Sequence, residues 1–283
     1  MPDVRRDDAA PRARDVVCKS ARIRVAEVGD GRPILLIHDF LSDHAEWAAV
    51  EGTLATRFRV LSVDLPGFGE SEKPTPARFG YDFDRFADAL VDVAGAFDAA
   101  PLHVCGHGLG AAIAIALAER HPSMARSVVL VSPPLFGSRP IAFARAAALP
   151  IVGPLVFKQL YGRRALAWHF RRDVFASGAP TAARLDTLFD AFNAPAAREA
   201  AGAALGALLD TRTLEARLGR VGCPALVVWG RKDVLAPAAL AKRLVRALPN
   251  ARLELLDCGH SPPEEMPERF GAMVLEFLSA RRS

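Results

Sequence analysis

Four short segments hold side chains able to do chemistry, and each falls at the C-terminal end of a predicted strand. They are His38-Asp39-Phe40, Gly106-His107-Gly108-Leu109-Gly110, Asp233 within Trp229-Gly230-Arg231-Lys232-Asp233, and His260 within Asp257-Cys258-Gly259-His260-Ser261-Pro262. Imidazole and carboxylate groups carry most general acid–base work. The C-terminal ends of parallel strands are where open α/β sheets keep their ligand sites. The glycine-rich segment, extended to Ala111, also satisfies the dinucleotide pattern G-x-G-x-x-[GA]. That reading requires a carboxylate at the end of the next strand, where the sequence has Leu130-Val131-Ser132-Pro133. The glycines also follow a middle strand, not the first, so nucleotide binding is set aside.

The elements that must position these segments alternate between strands and helices. Residues 33–37 (Pro-Ile-Leu-Leu-Ile) form a continuous apolar run, as expected of a strand buried on both faces. Further strands are expected at residues 22–28, 58–63, 102–105, 128–131, 224–229 and 252–256. Phe83, Phe86, Leu90, Val93 and Phe97 recur at helical spacing. Residues 47–57, 109–119, 238–248 and 267–281 read as further helices. This alternation predicts an α/β fold: a mostly parallel central sheet of about eight strands with helices on both faces. Between residues 135 and 218 the strand signal lapses, and Ala, Arg, Leu and Phe dominate with Pro and Gly breaks. That stretch is expected to be a helical cap inserted into a core made of residues 17–134 and 219–283, with residues 1–16 a disordered tail.

Composition narrows the function classes. The 283 residues are 51% hydrophobic and 24% charged, with a net charge of +4. A wholly disordered chain is excluded. The basic residues are interspersed with acidic ones and form no block flanked by stacking aromatics, which argues against a nucleic-acid partner. No stretch is long and apolar enough for a transmembrane segment, and the Arg/Asp/Pro/Ala-rich N-terminus has no signal-like apolar region. Cys18, Cys105, Cys223 and Cys258 lack CxxC spacing and lie in apolar runs, which predicts buried thiols and a cytoplasmic setting.

Taken with Asp64-Leu65-Pro66-Gly67-Phe68-Gly69-Glu70-Ser71, the four segments resemble those of the α/β-hydrolase superfamily over about residues 20–280, in the family's order of nucleophile, acid and histidine. The resemblance makes Asp233 the acid and His260 the base. It makes the backbone N–H groups of Leu109 and Phe40 the oxyanion hole. It also exposes two departures. The family's nucleophile elbow reads G-x-S-x-G, and here the central residue is Gly108. Glycine adopts the strained elbow angles freely but has no atom with which to attack. The family's His-Gly pair reads His38-Asp39, and a carboxylate there would oppose a developing oxyanion if it pointed inward, or cap the following loop if it pointed outward. His38 itself reads as a structural hydrogen-bonding residue. Ser132, Ser261 and Cys105 are the remaining candidates for a substitute nucleophile, but none occupies the elbow.

The expected activity is hydrolysis of a small apolar or amphipathic substrate, ester-like or related, resting on an Asp233–His260 dyad and backbone donors. The alternative is an inactive pseudo-hydrolase that binds a small hydrophobic ligand. No metal and no organic cofactor is implied, and the oligomeric state is left open. Among the cap residues, Phe136 and Trp168 are expected to join Asp39 in a substrate pocket. Phe143, Phe157, Tyr161, Phe170 and Phe175 are expected mostly to pack the cap, and Arg163, Arg164, Arg171 and Arg172 read as a solvated face.

Overall fold

Apolar runs and one charged segment make up the strands of the computed structural model, which describes residues 11–138, 162–178 and 180–280. In chain order they are β1 (Arg12–Val17), β2 (Arg22–Val28), β3 (Arg32–Ile37), β4 (Phe58–Val63), β5 (Leu102–His107), β6 (Ala125–Val131), β7 (Ala225–Gly230) and β8 (Ala251–Leu256). They form one eight-stranded sheet in the order β1-β2-β4-β3-β5-β6-β7-β8. The pairs β1/β2 and β2/β4 are antiparallel, and every other pair is parallel. The expected mostly parallel sheet is therefore present. Strand β5 runs to His107, two residues beyond the apolar run that marks it in the sequence.

One sequence expectation fails at the N-terminus. Residues 12–16, assigned there to a disordered tail, lie in β1 and pair in register with β2, from Arg12 opposite Glu27 to Val17 opposite Arg22. Charged side chains hide the strand from an apolar pattern. Backbone pairing and the Arg22–Asp15 and Arg24–Asp15 ion pairs hold it instead.

Helices cover both faces. On one side, α1 (Ala48–Ala55) packs with the C-terminal helix, around Trp47, Leu54, Phe270 and Phe277. On the other, α2 (Phe83–Ala96) and α3 (Leu109–Arg120) pack on Leu35, Val104 and Val128. Asp82 caps α2 by accepting from Arg85 N–H, and Phe83, Phe86, Leu90 and Val93 form its buried stripe, as the spacing predicts. Each such side chain contributes about 1.5–3 kcal/mol by leaving water. Helix α3 is buried from Leu109 through Ala118, on all its faces. Its small residues let it approach the sheet: a side chain at Gly110 would collide with the Ile37 carbonyl.

Between β6 and β7 the regular elements among the described residues are helical. They form α4 (Arg163–His169) and a π turn (Phe170–Val174), then α5 (Ala182–Asn193), α6 (Pro195–Leu209) and α7 (Arg212–Glu215). Thr181 caps α5 by accepting from Arg184 N–H, and Pro195 opens α6, where its missing N–H costs nothing. Phe143, Phe157 and Tyr161 lie outside the described residues. After β7 come α8 (Ala239–Ala247), then α9 (Pro262–Glu265) and α10 (Pro267–Ser279) beyond β8. Cys18, Cys105 and Cys258 are buried, Cys223 is half-buried, and all four thiols are free. Among the described residues no helix is long and apolar enough to cross a membrane.

Candidate functional site

The strand order reverses at β3. Its neighbours are β4 on one side and β5 on the other, so the loops leaving β3 and β5 open a crevice between them. Ile37 pairs with Gly106 at the ends of these strands. The next residues of the two loops therefore meet, although they are 70 positions apart in sequence: Leu109 N–H donates to Asp39 Oδ1 at 2.7 Å. Gly108, at φ 49° and ψ −112°, makes the turn from β5 into α3. A Cβ there would collide with the Asp39 carboxylate. Of the two orientations open to Asp39, the structure has the inward one, and Gly108 is what leaves room for it. The Leu109 amide, expected to be a free donor, is already engaged.

The other side of the crevice comes from the loops after β7 and β8. Asp233 Oδ1 accepts from the N–H groups of Leu235 and Ala236, both at 2.9 Å, which fixes its carboxylate in the turn. Its Oδ2 accepts from His260 Nδ1 at 2.7 Å. The His260 backbone N–H donates to Val174 O, which ties the loop to the helical segment above it. Across the crevice, His260 Nε2 lies 3.3 Å from Asp39 Oδ2. One buried imidazole thus stands between two carboxylates, with both ring nitrogens donating. Burial alone would push the His260 pKa down, but the charge and hydrogen bond of Asp233, joined by those of Asp39, hold it well above the ordinary value. Burial likewise pushes the Asp39 carboxyl up. The charges of His107 and His260 and the Leu109 N–H outweigh it and hold Asp39 well below the usual carboxylate range. The raised His260 pKa and the lowered Asp39 pKa together favour a carboxylate–imidazolium pair across the crevice.

A second buried group braces the first, and sequence reasoning missed most of it. Glu46 Oε2 accepts from Asp39 N–H at 3.1 Å, and its Oε1 accepts from His107 Nδ1 at 2.7 Å. His107 Nε2 in turn donates to the His260 carbonyl at 2.8 Å. Glu46 and His107 therefore connect the backbone of Asp39 to that of His260. Burial would lower the His107 pKa, but Glu46 and Asp39 raise it above the ordinary value. Glu264 accepts from Ser261 Oγ at 2.9 Å, and burial together with the Glu46 charge pushes its pKa up to about 7. The available signal was an acidic residue beside a bulky apolar one, Glu46 next to Trp47, at a helix start that the structure buries.

The remaining sequence candidates divide. Asp39, Phe40 and His260 line one small cavity of about 10 Å³, together with Pro134, Leu208 and Leu235 among others. That is space for about one water molecule. Phe40 is buried there, edge-on to Phe68. Phe136 and Trp168 are not among the lining residues. Phe136 lies under the Arg243 guanidinium, and Trp168 is 48% exposed with Arg172 over its ring. Aromatic residues in a helical insertion do not reveal which face they occupy. His38 is structural as expected: its Nε2 accepts from Leu65 N–H and its Nδ1 donates to the Asp39 carbonyl. Cys105 is core, with its thiol pKa pushed up by burial. Ser261 is engaged with Glu264, and Ser132 Oγ is buried with no partner among the described residues. The oxygen that faces His260 Nε2 belongs to none of these three but to Asp39. Donor atoms of Asp39, His107 and His260 lie within 4.8 Å of one another. Both ring nitrogens of each histidine are already hydrogen-bonded, so the cluster is a set of charge pairs and not an open ligand set.

A protein-family model described as "Alpha/beta hydrolase family" matches residues 34–272. The chain is 30% identical over 271 residues to the pimeloyl-[acyl-carrier protein] methyl ester esterase of Nitrosomonas europaea, covering 88% of this chain and 97% of that one. It is 28% identical to the 2-hydroxymuconate semialdehyde hydrolase of Pseudomonas sp. strain CF600, covering 94% of this chain and 93% of the relative. The solved structure of the enol-lactonase from Burkholderia xenovorans LB400 superposes with a TM-score of 0.79 at 23% identity, over 94% of this chain and all of that one, which shows the shared fold. With the sheet order, the crevice at its reversal and these matches in hand, the chain belongs to the α/β-hydrolase family.

Proposed function

We propose that this protein hydrolyses a small apolar or amphipathic substrate through Asp39, His260 and Asp233, without a serine nucleophile. The carrying observation is the His260 imidazole fixed between two carboxylates at the C-terminal edge of the sheet. Gly108 stands at the elbow and supplies no hydroxyl, so an acyl-enzyme cannot form there. The methyl ester esterase and semialdehyde hydrolase relatives support hydrolysis as the reaction class, and the apolar walls contributed by Pro134, Leu208 and Leu235 support an apolar substrate.

The test is a hydrolysis screen over small esters, lactones and halogenated alkanes with wild type and His260→Ala. Turnover in wild type that falls by at least about 100-fold in the variant supports the reading. Equal rates would leave His260 without a chemical role and overturn it.

A second reading has one observation in its favour. The Leu109 N–H is occupied by Asp39, as a site retained for binding alone would allow. That reading requires a ligand-induced rise in melting temperature with no product, and product in excess of protein eliminates it.

A further inference from the structure

We infer that the exposed face of α4 and of the π turn after it is a docking surface for an anionic lipid bilayer. Trp168 is its interfacial anchor, and Arg164, Arg171 and Arg172 are its headgroup contacts. The inference goes beyond the hydrolase reading and does not depend on it, since binding is measured without turnover.

The segment from Arg163 to Val174 has two faces. Leu166, His169, Phe170, Asp173 and Val174 are buried and seat it on the protein. Arg164, Trp168, Arg171 and Arg172 are exposed, at spacings that keep them on one side of a helix. Tryptophan is highly buried on average, yet Trp168 is 48% exposed, while Trp47 and Trp229 are fully buried. The Arg172 guanidinium stands 5.3 Å from the Trp168 ring centroid, a cation–π contact that keeps charge and aromatic surface together. Asp186 neutralises Arg163, but Arg164, Arg171 and Arg172 have no acidic partner among the described residues. The neighbouring sequence does not offset them either: from Arg120 to Arg172 there is no Asp or Glu.

Chemistry then selects the occupant. An indole settles at the level of lipid headgroups, with its ring in the apolar layer and its N–H wet. Guanidinium groups bind phosphate oxygens in pairs of hydrogen bonds. Cations grouped around an aromatic ring on one exposed helical face suit a helix lying in the plane of a bilayer surface. Single-stranded nucleic acid is instead held on several stacking rings in a row, and this face offers one. Each arginine near an anionic surface raises the binding constant about fivefold, so three together contribute about 100-fold. The fold gives the docking a direction. Val174 O, just past Arg172, accepts from His260 N–H at 2.7 Å. Ala176 and Ser177 N–H then donate to Glu265 Oε2, both at 3.0 Å. A bilayer held by α4 therefore lies on the crevice side of the sheet. Among the described residues no helix is long and apolar enough to cross it, so the contact is with its surface.

The test mixes the full chain with vesicles of equal parts phosphatidylglycerol and phosphatidylcholine, and separately with vesicles of phosphatidylcholine alone. Co-sedimentation measures binding. A blue shift of tryptophan emission reports Trp168, because Trp47 and Trp229 are already out of water. The expected result is binding with a blue shift on the anionic vesicles, reversed by high salt, and neither on phosphatidylcholine. Combining Arg164→Gln, Arg171→Gln and Arg172→Gln should lower the binding constant about 100-fold, and Trp168→Ala should abolish the blue shift. A control triple of Arg32→Gln, Arg57→Gln and Arg126→Gln removes the same charge from exposed sites at the N-terminal ends of β3, β4 and β6, and should bind as wild type does. Both triples change exposed side chains only, so each should melt at the wild-type temperature. Equal losses in the two triples would leave net charge alone as the cause and overturn the inference. Equal binding to the two kinds of vesicle, binding without a blue shift, or no binding overturns it too. Tighter binding of single-stranded DNA through the same three arginines would assign the face to nucleic acid and overturn it as well.

Discussion

The two walls of the crevice were built under different rules. The β7–β8 wall keeps its chemistry local: Asp233 and His260 follow adjacent strands, and the turn amides of Leu235 and Ala236 hold the carboxylate in place. The β3–β5 wall distributes one role over two loops. Gly108 contributes space, the next residue Leu109 contributes a backbone donor, and Asp39 contributes the charged oxygens that enter that space. What looks like a deletion at one position and an intrusion at another is, in three dimensions, a single exchange. It is possible because the sheet places the two loops in contact at the reversal of strand order.

That comparison predicts a reciprocal rescue, the largest effect expected here. Gly108→Ser alone should gain no esterase activity over wild type and should lose stability, because its side chain meets the Asp39 carboxylate at a positive φ. Combining it with Asp39→Gly clears the clash and frees the Leu109 N–H. The double variant should gain hydrolysis of an activated ester by about 100-fold or more over either single variant, and label with a fluorophosphonate. Esterase activity in Gly108→Ser alone would show that Asp39 yields readily, and would break the proposed coupling of the two loops.

A smaller effect tests the brace behind both walls. Glu46→Gln leaves the His107 imidazolium without its buried counter-charge, which should cost about 3 kcal/mol of unfolding free energy in denaturant titration. It should also lower the His260 pKa by loosening Asp39, seen as a shift of the imidazole titration by NMR. Loss of stability with no change in that titration would make Glu46 a packing residue only.

The smallest effect concerns pH. Glu264 has its folded pKa raised from 4.5 to about 7, mainly by burial and then by the charge of Glu46, with Ser261, Arg184 and His107 opposing. The folded state therefore holds this proton more tightly than the unfolded state. Its contribution is full below about pH 4.5 and is lost as pH rises through about 7, a change of about 3 kcal/mol at most. Between pH 5 and 7.5, wild type should lose stability relative to Glu264→Gln, and parallel profiles would show that Glu264 does not titrate in this window. His260 lies outside it, since its raised pKa places its loss of stabilisation at higher pH. Asp39 lies outside too, since its lowered pKa makes its contribution fail only in strong acid.

The local wall was legible in the sequence, and the distributed wall was legible only in pieces. Asp233 and His260 could be placed because each follows a strand within a segment that resembles the family's acid and histidine motifs. Gly108 and Asp39 were each visible as departures, but their compensation was not. It depends on β3 and β5 being neighbours and on the direction of one side chain. Glu46 and Glu264 escaped notice because acidic residues in short helices are ordinarily solvated, and only the packed structure shows Glu46 buried and Glu264 half-buried. Phe136 and Trp168 are absent from the lining of the described cavity because Phe136 sits in the turn after β6 and Trp168 on an exposed helix face, neither of which composition reveals. Strand β1 failed because an edge strand can form by pairing alone, with no apolar alternation to announce it.

That edge strand has a consequence for self-association. An open sheet margin invites a second chain to add its own strand. Arg12, Arg14 and Asp15 line this one, all exposed, and the bare apolar side chains are the small Ala13 and Val17, the latter at 84% exposure. Any copy docking there would have to strip water from those charges, or from the Arg14 guanidinium already seated over Phe97. Strand β1 thus serves as a bumper for the sheet, its charges disfavouring fibril-like stacking at no expense to the crevice at its centre.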